Sequence, residues 1–258
     1  MYLQRLLQIN MATLAALGAL LLVLAGTAED KAAPDPGEKP DRIRVLLVTG
    51  VDHPAHRWKE TAPAVRDVLQ QDKRFEVRIV EDPDQLATGV MFEYDVVLLH
   101  LKNYKPLARG DQAKANLVRL LTEGKGLVLL HFASGAFEDW PQFADLAGMV
   151  WDRKGSHDPR GPFAVRIVNA DHPITKGMES FQADDELYTC LAGDRRVDLL
   201  AVARSKVTGR DHPMAFACAC GKGRVFHTTL GHDVKAIRVP GTARLIRRGC
   251  AWAAGRNP

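Results

Sequence analysis

Little in this sequence announces a class on its own. Cysteine is scarce: Cys190, Cys218, Cys220 and Cys250 are the four thiols in 258 residues, too few and too spread for a small disulfide-built domain. With no CxxC pair among them they read as buried apolar groups, a Cys190–Cys218 bridge staying open as the alternative. Long apolar runs are lacking too, since the stretch from Met11 to Ala25 falls short of the about 20 residues that a membrane-spanning helix needs. The formal net charge is only +4, and no Lys/Arg block has the density of a nucleic-acid arm; Arg244 to Arg248 reads as a solvated helix face. A Gly-x-Ser-x-Gly nucleophile motif is missing, and Thr49-Gly50-Val51-Asp52 lacks the glycine spacing of a phosphate loop.

What is present begins with an address. Arg5 precedes the apolar stretch, and Gly26-Thr27-Ala28 closes it with small residues, which predicts a signal peptide over residues 1–28 and an exported protein with no stable membrane span after cleavage. Thr27 stands where a lipoprotein signal needs cysteine. Residues 29–41, EDKAAPDPGEKPD, combine proline with alternating charge and read as a flexible linker. The rest, 42–258, is long enough for one α/β domain with a sizeable core.

Within that domain, β-branched and aliphatic runs alternate with helix-like segments. Strands are expected at 42–48, 75–81, 94–100 and 127–131, with helices at 58–71 and 107–123 between them, the pattern of a doubly wound, mainly parallel, flavodoxin-like sheet. The second half differs. Short strands at 163–168, 187–190, 197–203, 214–219 and 224–228 are separated by turn chemistry, and the last three need no crossover helix, so an antiparallel extension is expected. A closing helix is expected at 242–254 with Thr242 as its N-cap.

Of nine histidines, His53, His100, His131 and His227 stand at or just beyond strand ends. The carboxyl ends of parallel strands form the ligand crevice of such sheets, so these side chains should converge. Around His131, the segment GLVLLHFASGAFEDW reads as a strand, a tight turn and a helix, an elbow that offers His131 and Ser134 but no thiol. Asp184-Asp185-Glu186 is a run of carboxylates that repel unless solvated, paired or metal-bound, and it reads as a turn before a strand. Glu186 and Tyr188 would share one strand face, an arrangement suited to sugar hydroxyls. His212 enters one late strand, and Gly231-His232-Asp233 follows another, where glycine lets backbone approach a ligand closely. His53 and Trp58 border the crevice in the first βα loop, next to a helix N-terminus, and His157 falls in a long loop.

Taken in order, VLLVTG, YDVVLLH, GLVLLHFASGAFEDWPQFADLAG, ADHPITKGM, DDELY, DHPMAF and GKGRVFHTTLGHD resemble the ThuA-like family, named for trehalose utilisation. The resemblance spans about 42–255 and implies a class I glutamine amidotransferase-like fold in which His131 replaces the thiol nucleophile. It also implies a role in carbohydrate utilisation, with oxidised disaccharides among the substrates. His131, Glu186 and His232 are then the expected catalytic groups for acid–base chemistry on a keto-sugar or glycoside. His53, Trp58, Ser134, Asp185, Tyr188, His212 and Asp233 are the expected substrate contacts. A sugar-binding module without catalysis is the alternative. The set His131, Glu186 and His232 also has the ligand mixture for zinc or another divalent transition ion, provided the strand ends bring it together.

Overall fold

The structure, a computed structural model, describes residues 41–152 and 154–258. The expected signal peptide, and the linker up to Pro40, lie outside the described residues. The strands are β1 (Ile43–Val48), β2 (Phe75–Val80), β3 (Val96–Leu99), β4 (Gly126–Leu130), β5 (Val150–Trp151), β6 (His157–Ile167), β7 (Phe181–Tyr188), β8 (Leu191–Ala192), β9 (Asp198–Arg204), β10 (Asp211–Cys220) and β11 (Gly223–Thr228). The helices are α1 (Trp58–Leu69), α2 (Gly110–Thr122), α3 (Phe143–Ala147), α4 (Val234–Ile237) and α5 (Pro240–Ala253).

Nine strands form one sheet in the order β2-β1-β3-β4-β11-β10-β9-β6-β7. From β2 to β11 every pairing is parallel, and from β11 onward every pairing is antiparallel. This is the doubly wound sheet with an antiparallel extension. Its cause is visible in β1: Ile43, Val45 and Leu47 point to the face covered by α1 and α5, whereas Leu46 and Val48 point to the face covered by α2 and α3. Strands β3 and β4 are buried throughout, as continuous aliphatic runs between two helical layers must be. Among the described residues, no helix is long and apolar enough to cross a membrane. All four cysteines are free, which removes the Cys190–Cys218 bridge.

Three local expectations need correction. The carboxylate run 184–186 lies inside β7 rather than in a turn before a strand, and Asp185 there is fully buried. His157 opens β6 and is half-buried rather than sitting in a loop. Helix α5 starts at Pro240, whose fixed φ suits the first helical turn, so Thr242 is a buried residue of the helix and Val239 takes the cap position.

Helix α5 packs on β11 through a glycine. A Cβ at Gly249 would stand 2.0 Å from Cδ1 of Phe226, which is fully buried. Gly249→Ala should therefore lower stability by about 1–3 kcal/mol through overpacking, a cost that outweighs the roughly 1 kcal/mol of helix propensity alanine recovers. Urea denaturation of the two proteins measures the difference; an alanine variant as stable as wild type would mean the helix rides higher on the strand.

Candidate active site

The crevice lies at the carboxyl ends of β1, β4 and β11. Leaving β4, the chain enters a tight 3-10 turn, His131–Gly135, and His131 itself adopts φ +49°. That left-handed conformation is strained for a residue with a Cβ. It turns the imidazole to where its Nδ1 lies 2.6 Å from the carbonyl oxygen of Thr229. A carbonyl can only accept, so Nδ1 carries the proton and the lone pair sits on Nε2. Nε2 faces the hydroxyl of Tyr188 at 2.9 Å, Nδ1 of His232 at 3.3 Å and Oε2 of Glu186 at 3.5 Å.

Glu186 and Tyr188 reach this point because β7, the edge strand, folds back over the end of β11. Asp185 fixes the approach. Its buried carboxylate accepts from the backbone N–H groups of Gly231 (2.7 Å), Glu186 (2.8 Å) and His232 (3.2 Å). Gly231 takes φ +113° there, a conformation open to glycine. The next residue, His232, then points Nδ1 at Oε2 of Glu186, 3.2 Å away.

A fourth side chain completes the group. His56, in the loop between β1 and α1, offers a ring nitrogen within 4.8 Å of the ligating atoms of His131, Glu186 and His232. Its Nδ1 lies 3.1 Å from Nδ1 of His53, and its buried Nε2 has no hydrogen-bond partner. The signal for His56 is in the sequence, as a His-x-x-His spacing with His53, but inspection of strand ends alone passes over it.

Electrostatics act differently on the members of the group. Burial, then the neighbouring His131 and His232, pushes His56 down to about 2, so it stays neutral. Burial opposes ionisation of Glu186, but the adjacent His131 and His232 side chains outweigh it and hold the carboxyl well below its ordinary range. His232 is raised, chiefly by its hydrogen bond to Glu186. Burial, followed by the charges of Glu186 and Asp185, raises Tyr188 well above its ordinary value and keeps the phenol protonated.

The other expected residues are dispersed. His53 stands behind His56, and Asp233 caps α4 by accepting from Ala236 N at 2.8 Å while pairing with Arg160. A cavity of about 390 Å³ opens beside His232 and Asp233, flanked by Arg57 and Lys235. The Trp58 indole is buried and donates to Asp52 at 2.7 Å, and Ser134 is buried in the elbow. His212 is not brought to the group: it sits on the β9–β10 hairpin, 2.8 Å from Oγ1 of Thr208. Nor do all four strand-end histidines converge. His100 and His227 are fully buried in the core, and burial holds each neutral, down to about 3.

Comparison with known proteins agrees with this architecture. The family model described as ThuA, trehalose utilisation, matches residues 44–253. A ThuA-like protein from Parabacteroides merdae superposes with a TM-score of 0.74 at 25% identity, covering 84% of this chain and 91% of that one. A second, from Bacteroides uniformis, gives 0.67 at 20% identity over 85% and 94% of the chains. The glutaminase domain of a Trypanosoma brucei CTPS gives 0.52 at 11% identity over 84% and 95%, a likeness of fold alone. A search of curated proteins returned no match.

Because three amides depend on one buried carboxylate, Asp185→Ala should destabilise the domain by about 2–4 kcal/mol. Chemical denaturation reads this loss. Stability within error of wild type would show that the Gly231–His232 turn is held by something else.

Proposed function

We propose, on the premise that the chain belongs to the ThuA trehalose-utilisation family, that it is an exported, metal-dependent enzyme of carbohydrate utilisation. In this reading it moves a proton beside a carbonyl or hydroxyl of its sugar. One observation carries the metal: Nε2 of His131, Nδ1 of His232 and Oε2 of Glu186 form a triangle with edges of 3.3, 3.2 and 3.5 Å. Donors around a tetrahedral zinc at about 2.0–2.1 Å stand about 3.4 Å apart, so the triangle has the dimensions of one face of that coordination shell. His56 supplies a further nitrogen. Two or three imidazoles with one carboxylate suit zinc or a similar divalent transition ion. The carbonyl of Thr229 behind His131 and the ring of His53 behind His56 are the outer partners that orient ligating histidines.

A bound ion would polarise a substrate oxygen as a Lewis acid. The residues supply the rest. The phenol of Tyr188, kept protonated by burial, is a hydrogen-bond donor at the same point as Nε2 of His131. Once that lone pair is engaged elsewhere, the phenol can donate to a ligand oxygen. Glu186 presents its second oxygen, Oε1, away from the triangle and 3.9 Å from His157, where it can accept a proton from the carbon or hydroxyl next to the polarised oxygen. The family's description supports the carbohydrate class, and the apolar stretch at 11–25 supports export.

Purified without chelators, the protein should carry one equivalent of a divalent transition metal by elemental analysis. At about a hundredfold excess of metal over its dissociation constant, binding adds roughly 2.7 kcal/mol of stability, an increase of about 5–10 °C in Tm for a domain of this size. Glu186→Gln and His131→Ala should lose both the metal and the shift. Turnover of disaccharides and their 3-keto derivatives, followed by mass spectrometry with and without metal, tests the reaction: wild type forms a new product and both variants do not. Full activity in both variants would remove this mechanism.

A further inference from the structure

The metal-facing group opens into a collar of aromatic side chains. On one side, the ring of Tyr188 lies 4.7 Å from that of His131, and Trp151 meets Tyr188 edge-on at 4.7 Å. On the other, His56 lies 5.2 Å from His131, His53 lies 4.9 Å from His56, and Tyr104 stacks on His53 at 5.2 Å with only 15° between planes. Lys102 closes the circuit, with Nζ 5.4 Å from the ring centre of Trp151 and 5.3 Å from that of Tyr104. The collar thus starts and ends at two members of the candidate metal group.

Its members are not equally available. Tyr188 is buried, and Trp151 and His53 are partly covered, but Tyr104 is 50% exposed while held parallel to the ring beneath it. An exposed tyrosine alone means nothing. One held parallel to a histidine that is hydrogen-bonded to a candidate metal ligand, with an ammonium 5.3 Å from its ring centre, is a pre-ordered flat surface near the group. The Lys102 ammonium is itself fixed, 2.9 Å from Glu138, with a side chain only 19% exposed. Flat apolar surface flanked by an oriented donor is what a pyranose ring requires, since its axial C–H groups make an apolar face and its hydroxyls project around the rim.

We propose that Tyr104 is the stacking platform for a sugar ring of the substrate and that Lys102 donates to a hydroxyl at the edge of that ring, so that the collar sets which carbon faces His131 and Glu186. This rests on the carbohydrate reading above and adds specificity-determining residues to it. Neither residue lies in the motifs quoted from the sequence.

The test is calorimetric titration of zinc-loaded full-length protein with trehalose and with methyl α-glucopyranoside. Wild type should bind, Tyr104→Ala should weaken binding about tenfold or more, and Tyr104→Phe, which keeps the ring, should stay close to wild type. Lys102→Met should weaken sugar binding while leaving metal content unchanged, as should Tyr104→Ala. Equal affinity in wild type and Tyr104→Ala overturns the platform alone. Binding by neither sugar in metal-loaded wild type overturns the carbohydrate reading and the platform with it. Sugar binding that is sensitive to Tyr104→Ala in a protein holding no metal leaves the platform and overturns the metal reading.

Discussion

Asp185 carries its charge on backbone amides. It is fully buried on the edge strand, and burial raises its carboxyl above the ordinary range even though three N–H groups turn toward it. Two of those donors, Gly231 and His232, belong to the turn after β11, four strands away in the sheet order. The antiparallel extension must therefore curl until β7 meets the crevice of the parallel half. Breaking the contact would leave buried donors and a buried carboxylate unpaired, which is costlier than the bonds are favourable. Once β7 is held, its alternation delivers Glu186 and Tyr188 to His131, and the turn delivers His232.

The elbow supplies the other fixed point. A positive φ at His131 is a standing cost that the surroundings must offset, and the short contact with the Thr229 carbonyl is one such compensation. Together these restraints bring three donor atoms to mutual distances that suit one ion, with His56 neutral beside them. Burial is the main reason that His56 stays neutral, and the neighbouring His131 and His232 add to it.

Much of this was legible in residue pattern. Aliphatic runs ending at Val48, Leu99 and Leu130 mark parallel strands to within a residue or two, because burial on both faces leaves a continuous hydrophobic signal; β11 ends at Thr228 as expected, but it pairs parallel with β4 as well as antiparallel with β10. His131 and His232 follow from those ends. Strand β7 was not legible over 184–186, since three acids hide an alternation whose stabilising partners lie some 46 residues away in the chain. His212 shows the converse: its strand was expected, but β9 and β10 form a hairpin that ties it to Thr208 and not to the crevice. The collar, with Tyr104 and Lys102, lay beyond reach because it comes from ring geometry between segments far apart in the chain, which no periodicity encodes.

The central claim is that His131, Glu186 and His232, with His56 beside them, are one coordination shell. X-ray absorption spectroscopy of the zinc-loaded protein tests it most directly. The account predicts a shell of nitrogen and oxygen at about 2.0–2.1 Å with outer-shell scattering from several imidazoles, and the loss of that bound zinc in His131→Ala. A sulfur-containing shell at about 2.3 Å, or a spectrum unchanged by His131→Ala, would contradict it.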